Sequence, residues 1–358
     1  MIVFLAALGL LCLYQISCPL LPGKKAAGGA PYYTDYCSVD KTNAIKGIFI
    51  ILVLFSHLFR YYLLTDSIFD RSFEKIIYAI GQSVVAPFLF YSGYGILFSI
   101  RKKGQPYVDS LLKKRFPAVL LHFDIAVLLF VLVNLLLQNS MTVPQILLAL
   151  TGWGSVGNSN WYIFDVLCLY LVTYIAFSIF RSNRLYGILC SLALSAGMIL
   201  LLRQFKDSWW YDTLPCYCFG MLWCHCCEPV EKWLFGKRYR YYLTLAVSAA
   251  ATILFIVFCK GVFPTMIRHL LFMATIVLLT MKISVCNKVL CFFGRHLFSI
   301  YILQRIPMMV LDHLGVRNPY LLTVLTLGAT VALAVPFDLL LGKLDDVLFR
   351  KKQTVPSA

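Results

Sequence analysis

Charge is scarce in this sequence. Lys, Arg, Asp and Glu make up 13% of the 358 residues, about half the roughly 25% carried by soluble domains, which excludes an ordinary soluble fold. Acidic residues are the rarer kind, 16 against 32 basic ones, for a net charge of +16. Such an excess would invite nucleic acid if it were gathered on one domain. Here the basic residues stand singly or in short runs between apolar spans, so no nucleic-acid partner is expected. Also missing are a Walker sequence, G-x-G-x-x-G, H-E-x-x-H and any internal repeat. No polar stretch is long enough for a soluble sensor or scaffold domain.

What remains is apolar. Hydrophobic residues reach 60% and mean hydropathy is +0.80, the composition of an all-α, polytopic protein whose first partner is the lipid bilayer. Eleven apolar runs of spanning or near-spanning length stand at 1–22, 42–62, 76–99, 117–137, 161–180, 185–202, 211–227, 241–259, 264–282, 289–307 and 320–342. The expected organisation is an N-terminal membrane anchor over 1–22, a Gly/Pro/Ala-rich linker over 23–41, a ten-span core over 42–342 and a tail over 343–358. Charges follow the first run instead of preceding it, so it reads as an uncleaved anchor with its N-terminus outside. The alternate loops that begin with Lys24 and Lys25 and end with Lys343–Lys352 hold 23 Lys and Arg against 9 on the other side. By the positive-inside rule the richer set is cytoplasmic, which predicts a multi-pass protein of the cell membrane with a cytoplasmic C-terminus. Oligomeric state has no sequence signal.

Thirteen cysteines raise the question of a metal, above all at "CYCFGMLWCHCC", residues 216–227. The string lacks paired C-x2-C ligands on separate loops and lies in an apolar run, where cysteine packs as a small polarisable side chain or takes a lipid at the membrane edge. No metal is expected.

Polar groups inside the spans are the functional signal, because they are costly in lipid. "KGIFIILVLFSH", residues 46–57, holds a lysine and a histidine on one helical stripe about 16 Å apart. Counted from Thr42, Lys46 lies about 6 Å deep and His57 about 22 Å deep. Asn160, Trp161, Asp165 and Tyr301 fall at the outer depth, and Ser92 and Arg115 near the inner face. Two polar layers imply a passage with two entrances. A transporter or flippase, with Lys46 and His57 lining a substrate path, is the alternative to an enzyme.

These strings resemble the acyltransferase-3 family of integral-membrane acyltransferases. "KGIFIILVLFSH" matches its basic residue, ten residues and histidine; "APFLFYSGYG" matches its "plFfflSGy" string. Weaker matches are "LLKKRFPAVL", "NSNWYIF", "CYCFGML" and "FFGRHLFSIYILQ", and together they cover about residues 40–345. The chain departs from the family at Asn43, where an aspartate is common, at Gln304, where a histidine is common, and at Asp165, four residues after Trp161 where a glutamate often stands five after. The resemblance implies an O-acyltransferase that moves an acyl group from cytoplasmic acyl-CoA, with acetyl-CoA the expected donor, to a hydroxyl of an extracytoplasmic saccharide or glycan. His57 would be the general base and Lys46 its catalytic companion. Arg101, Lys114 and Arg115 would take the CoA phosphates, and Ser92, Asn160, Trp161, Asp165 and Tyr301 would face the substrates. Acyl-CoA is then a substrate, and no separate cofactor is expected.

Overall fold

The computed structural model describes residues 1–18, 32–62, 64, 67–181 and 183–349. Lys24, Lys25, Arg350, Lys351 and Lys352, and with them part of the expected linker and tail, lie outside the described residues. Among those described there is no strand. The helices are α1 (Ile2–Leu13), α2 (Val39–Leu58), α3 (Ile68–Ile80), α4 (Ala86–Lys103), α5 (Gln105–Ser110), α6 (Phe116–Leu136), α7 (Val143–Leu150) and α8 (Trp161–Ile179). They continue as α9 (Arg184–Leu202), α10 (Pro215–Gly236), α11 (Arg238–Phe258), α12 (Val262–Lys282), α13 (Lys288–Arg295), α14 (Leu297–Leu303), α15 (Arg305–His313) and α16 (Pro319–Leu348).

Eight helical stretches are long and apolar enough to cross a membrane, and a ninth arises if α13 and α14–α15 are one bent span. The eleven apolar runs of the sequence translate unevenly for identifiable reasons. The first becomes a helix of only 12 residues, about 18 Å long against a hydrocarbon core of about 30 Å. The run at 211–227 becomes α10, a 22-residue helix whose second half carries Glu228, Glu231 and Lys232. The run at 289–307 breaks at His296 and bends by 64°.

Loop residues set the helix ends. Ser67, Thr142, Asn183, Asn287 and Asn318 each accept a backbone N–H of the helix they precede, which satisfies donors that have no partner within the helix. α2 is the central helix: thirteen of its twenty residues are buried, from Thr42 to Leu58, as expected of a helix whose middle, from Ile48 to Phe55, is apolar on every side.

Two helix pairs cross with almost no space between backbones. Where α2 meets α13, an added Cβ on Gly294 would lie 1.8 Å from the Asn43 carbonyl oxygen, and one on Gly47 would lie 2.0 Å from that of Leu290. Where α4 meets α10, Cβ atoms on Gly93 and Gly220 would each lie 2.0 Å from a carbonyl oxygen, those of Tyr217 and Phe90. Glycine is required at all four positions because lipid offers no hydrophobic drive to association, so helices gain by close backbone approach. α2 also packs against α4 and α14, the helices that carry Ser92 and Tyr301.

Candidate functional site

A cavity of about 590 Å³ opens at the His57 end of α2. His57 and Ser56 come from the last turns of α2, and Arg60 from the 3-10 turn Phe59–Tyr61 that follows. Gln82 comes from the turn Gly81–Val84, Ser159, Asn160 and Trp161 from the entry to α8, Trp209 and Trp210 from a single turn before α10, and Tyr301 and Arg305 from either side of the α14–α15 junction.

The entry to α8 is a self-bonded loop. Asn158 Oδ1 accepts from the Val156 N–H at 3.0 Å, Ser155 Oγ donates to the Asn158 carbonyl at 2.7 Å, and Asn160 Nδ2 donates to the Gly152 carbonyl at 2.8 Å. Its path uses positive φ at Gly152 and Gly157, 73° and 106°, conformations that glycine adopts without strain. Trp210 is fixed from outside: Lys206 Nζ lies 4.1 Å from its ring centre and 3.9 Å from that of Trp153, and donates to the Trp153 carbonyl at 2.7 Å. Burial against these rings holds the Lys206 ammonium below the usual lysine range.

A second cavity of about 110 Å³ lies deeper, lined by Ser92, Tyr162, Tyr170 and Tyr301 among others. Tyr301 belongs to both cavities. Its ring centre is 6.4 Å from that of His57 and 5.3 Å from that of Tyr162. On the far side, Tyr170 interacts electrostatically with Arg115. Arg115 ends a π-helical turn, Leu111–Arg115, that leaves Lys113, Lys114 and Arg115 exposed. Its guanidinium stands 5.1 Å from the centre of the Tyr107 ring, with Lys103 Nζ 5.7 Å from the same centre. Tyr301 thus stands between the cavity lined by His57, here called outer, and the one lined by Ser92 and Tyr170, here called inner, with Arg115 beyond Tyr170.

Of the residues singled out in the sequence, His57, Asn160, Trp161 and Tyr301 share the outer cavity, and Ser92 joins Tyr301 at the inner one. The other five line neither cavity, and Lys114 and Arg115 are the exposed residues of the π-helical turn. Lys46 is half-buried and lines neither cavity. Arg101 is turned to α10, donating to the Cys224 carbonyl at 2.8 Å and pairing with Glu228 at 3.6 Å. Asp165 is fully buried, lines neither cavity, and has no hydrogen-bond partner for either carboxyl oxygen among the described residues. It lies close enough to Asp212 to feel its charge.

Asp212 in turn belongs to a buried chain. Its Oδ1 is 3.6 Å from His269 Nε2, an ion-pair distance longer than a hydrogen bond, and His269 Nδ1 is 3.0 Å from Ser83 Oγ. Ser83 sits in the turn that also brings Gln82 to the cavity, and Asp212 follows Trp210 by two residues. The chain thus ties two cavity walls together. Replacing His269 with Ala is expected to loosen both turns and lower the melting temperature while leaving His57 in place; unfolding followed by tryptophan emission checks this.

Sequence reasoning missed Arg60, Arg305, Gln82, Ser159, Trp209 and Trp210. Only Arg60, one turn beyond His57 on the same face, had a signal in the spacing. The others arrive from loops, short turns and the first residue of α15, which no local pattern orients.

A bundle of membrane-length helices with two neighbouring cavities that share Tyr301 in their linings is the architecture of a polytopic membrane protein with a buried reaction or transport site. The family profile described as "Acyltransferase domain" matches residues 40–339, most of the chain, and the protein belongs to this acyltransferase-3 family. It is a membrane acyltransferase. No curated protein and no solved structure matches the chain.

Proposed function

We propose that the protein moves a short acyl group, acetyl in the simplest case, from cytoplasmic acyl-CoA to a hydroxyl of an extracytoplasmic saccharide, with His57 as general base. The observation that carries this reading is Tyr301, which lines both the 590 Å³ and the 110 Å³ cavities within one ring spacing of His57. Donor and acceptor entering from opposite faces would meet there. The small inner cavity favours a short acyl chain over a long one.

In the proposed step, His57 takes the proton of the acceptor hydroxyl as its oxygen attacks the thioester carbonyl carbon. The tetrahedral intermediate collapses with loss of the CoA thiolate, which recovers the proton from the imidazolium. Asn160 and Tyr301, which line the outer cavity, and Ser92, which lines the inner one, would donate to the oxyanion. Lys114 and Arg115 seat the CoA phosphates; Arg101, held by Glu228, contributes positive field. Lys46, eleven residues before His57 and outside both cavities, would act on the donor's pantetheine arm on its way to the inner cavity; acyl transfer is preferred to a flippase because the family match covers residues 40–339.

The test is acyl transfer by purified protein in nanodiscs, using labelled acetyl-CoA, beside a mass comparison of cell-surface glycans with and without the gene. Acceptor translocation without consumption of acyl-CoA would overturn the reading. Lys114→Gln with Arg115→Gln is expected to raise the apparent KM for acyl-CoA severalfold, whereas Lys46→Gln is expected to lower turnover at saturating donor. A donor titration separates the two, and equal KM effects with unchanged turnover would reduce Lys46 to part of the donor's seat. The orientation predicts that a reporter fused after Ser140 reads extracytoplasmic and one fused at the C-terminal end cytoplasmic.

A further inference from the structure

The outer cavity is one-sided in charge. Among its lining residues are two guanidiniums, Arg60 and Arg305, and no aspartate or glutamate. Neither arginine enters an ion pair among the described residues. Arg305 makes a single long hydrogen bond, Nη1 to the Asn158 carbonyl at 3.5 Å. Both are close enough to His57 to act on its ring electrostatically. The carboxyl groups that might have balanced them, Asp165 and Asp212, are buried and absent from the cavity lining.

Two like charges directed at one space repel, and each guanidinium offers five N–H donors in a planar fork suited to a carboxylate or phosphate. A neutral ligand would leave both forks to water. An anion set between them would relieve the repulsion and take charge-assisted hydrogen bonds, stronger than neutral ones. The rest of the lining fixes the kind of anion. Trp161, Trp209, Trp210 and Tyr78 line the same cavity, and such ring faces suit the C–H faces of a pyranose better than a bare inorganic ion.

Taking the acyl-transfer reading as its basis, we infer that the acceptor is an anionic sugar, a glycan unit bearing a carboxylate or phosphate that Arg60 and Arg305 hold while a neighbouring hydroxyl faces His57. The arginines then set acceptor specificity, and the group that reacts is chosen by its distance from the anion.

The experiment uses the full chain in phosphatidylcholine nanodiscs, whose lipid is neutral overall. Tryptophan emission is titrated with methyl β-D-glucuronide, methyl β-D-glucoside 6-phosphate and neutral methyl β-D-glucoside, and acetyl transfer from labelled acetyl-CoA is measured with the same three. At least one anionic sugar is expected to bind about tenfold or more tightly than the neutral one, as one charge-assisted contact allows. Added salt should weaken that preference. Arg60→Gln with Arg305→Gln should erase it, and Arg60→Lys with Arg305→Lys, which keeps the charge, should retain part of it and show that the cavity survives substitution.

Equal binding of all three sugars, or no binding of either anionic one, overturns the inference. So does a loss of CoA affinity in the Gln variant equal to its loss of sugar affinity, because the arginines would then seat the donor. Anionic preference without any acyl-CoA-dependent transfer would leave Arg60 and Arg305 as an anionic-sugar site but sink the proposed reaction, and with it the role of that sugar as acceptor. Transfer to neutral and anionic sugars alike would do the reverse.

Discussion

His57→Ala is expected to insert and fold normally and to lose acyl transfer by at least about a hundredfold, the lower end of general acid-base contributions. His57 lines the outer cavity at the end of α2, and its Nδ1 is without a hydrogen-bond partner among the described residues. No internal bond of that nitrogen would be broken by the substitution, so the loss falls on chemistry and not on the fold. Binding of acyl-CoA, measured on the same preparation, should be retained because the proposed donor seat lies at the opposite face. A well-expressed His57→Ala protein that still transfers the acyl group would remove His57 from the mechanism.

The second large effect concerns two glycines in one short string. "SGYG" places Gly93 and Gly95 on α4, and helix propensity alone predicts that Ala at either position stabilises the helix by about 1 kcal/mol. The structure separates them. A Cβ at Gly93 would stand 2.0 Å from the Tyr217 carbonyl oxygen of α10, whereas one at Gly95 meets nothing within 4 Å. Gly93→Ala should therefore force α4 and α10 apart and cost on the order of 3 kcal/mol, the upper part of the overpacking range. Gly95→Ala should be neutral or slightly stabilising. Thermal unfolding in detergent, read by size-exclusion of the surviving monodisperse fraction, distinguishes them; equal behaviour of the two variants would show that the α4–α10 crossing is not as close as described. The same string holds both kinds of residue, since Ser92 lines the inner cavity while its neighbour Gly93 is there for packing.

Much of the fold was legible because it depends on composition and on sums along the chain. Scarce charge and long apolar runs require helices that satisfy their own backbone groups in lipid, so the all-α class follows without tertiary information. His57, Asn160, Trp161 and Tyr301 could be assigned to one depth by counting residues at 1.5 Å each, and the structure does bring these four to one cavity. Depth is only one coordinate, however. Asp165 shares it and yet is buried away from the cavity, because the azimuth of a side chain around its helix depends on which neighbours that helix packs against. Lys46 shows the same limit: it lies on the His57 stripe, but lines neither cavity.

By itself, then, the sequence determined a helical membrane protein, its family through the spacing of a lysine, a histidine and the "SGYG" string, and the residues that fall at each depth. Only the tertiary structure decided which of them meet. Arg60 and Arg305 are 245 positions apart in number and converge because the α2–α13 crossing, with glycines against backbone carbonyls, leads α14 and its junction with α15 back beside the end of α2. Such convergence rests on non-local backbone contact, and no local pattern of polarity encodes it.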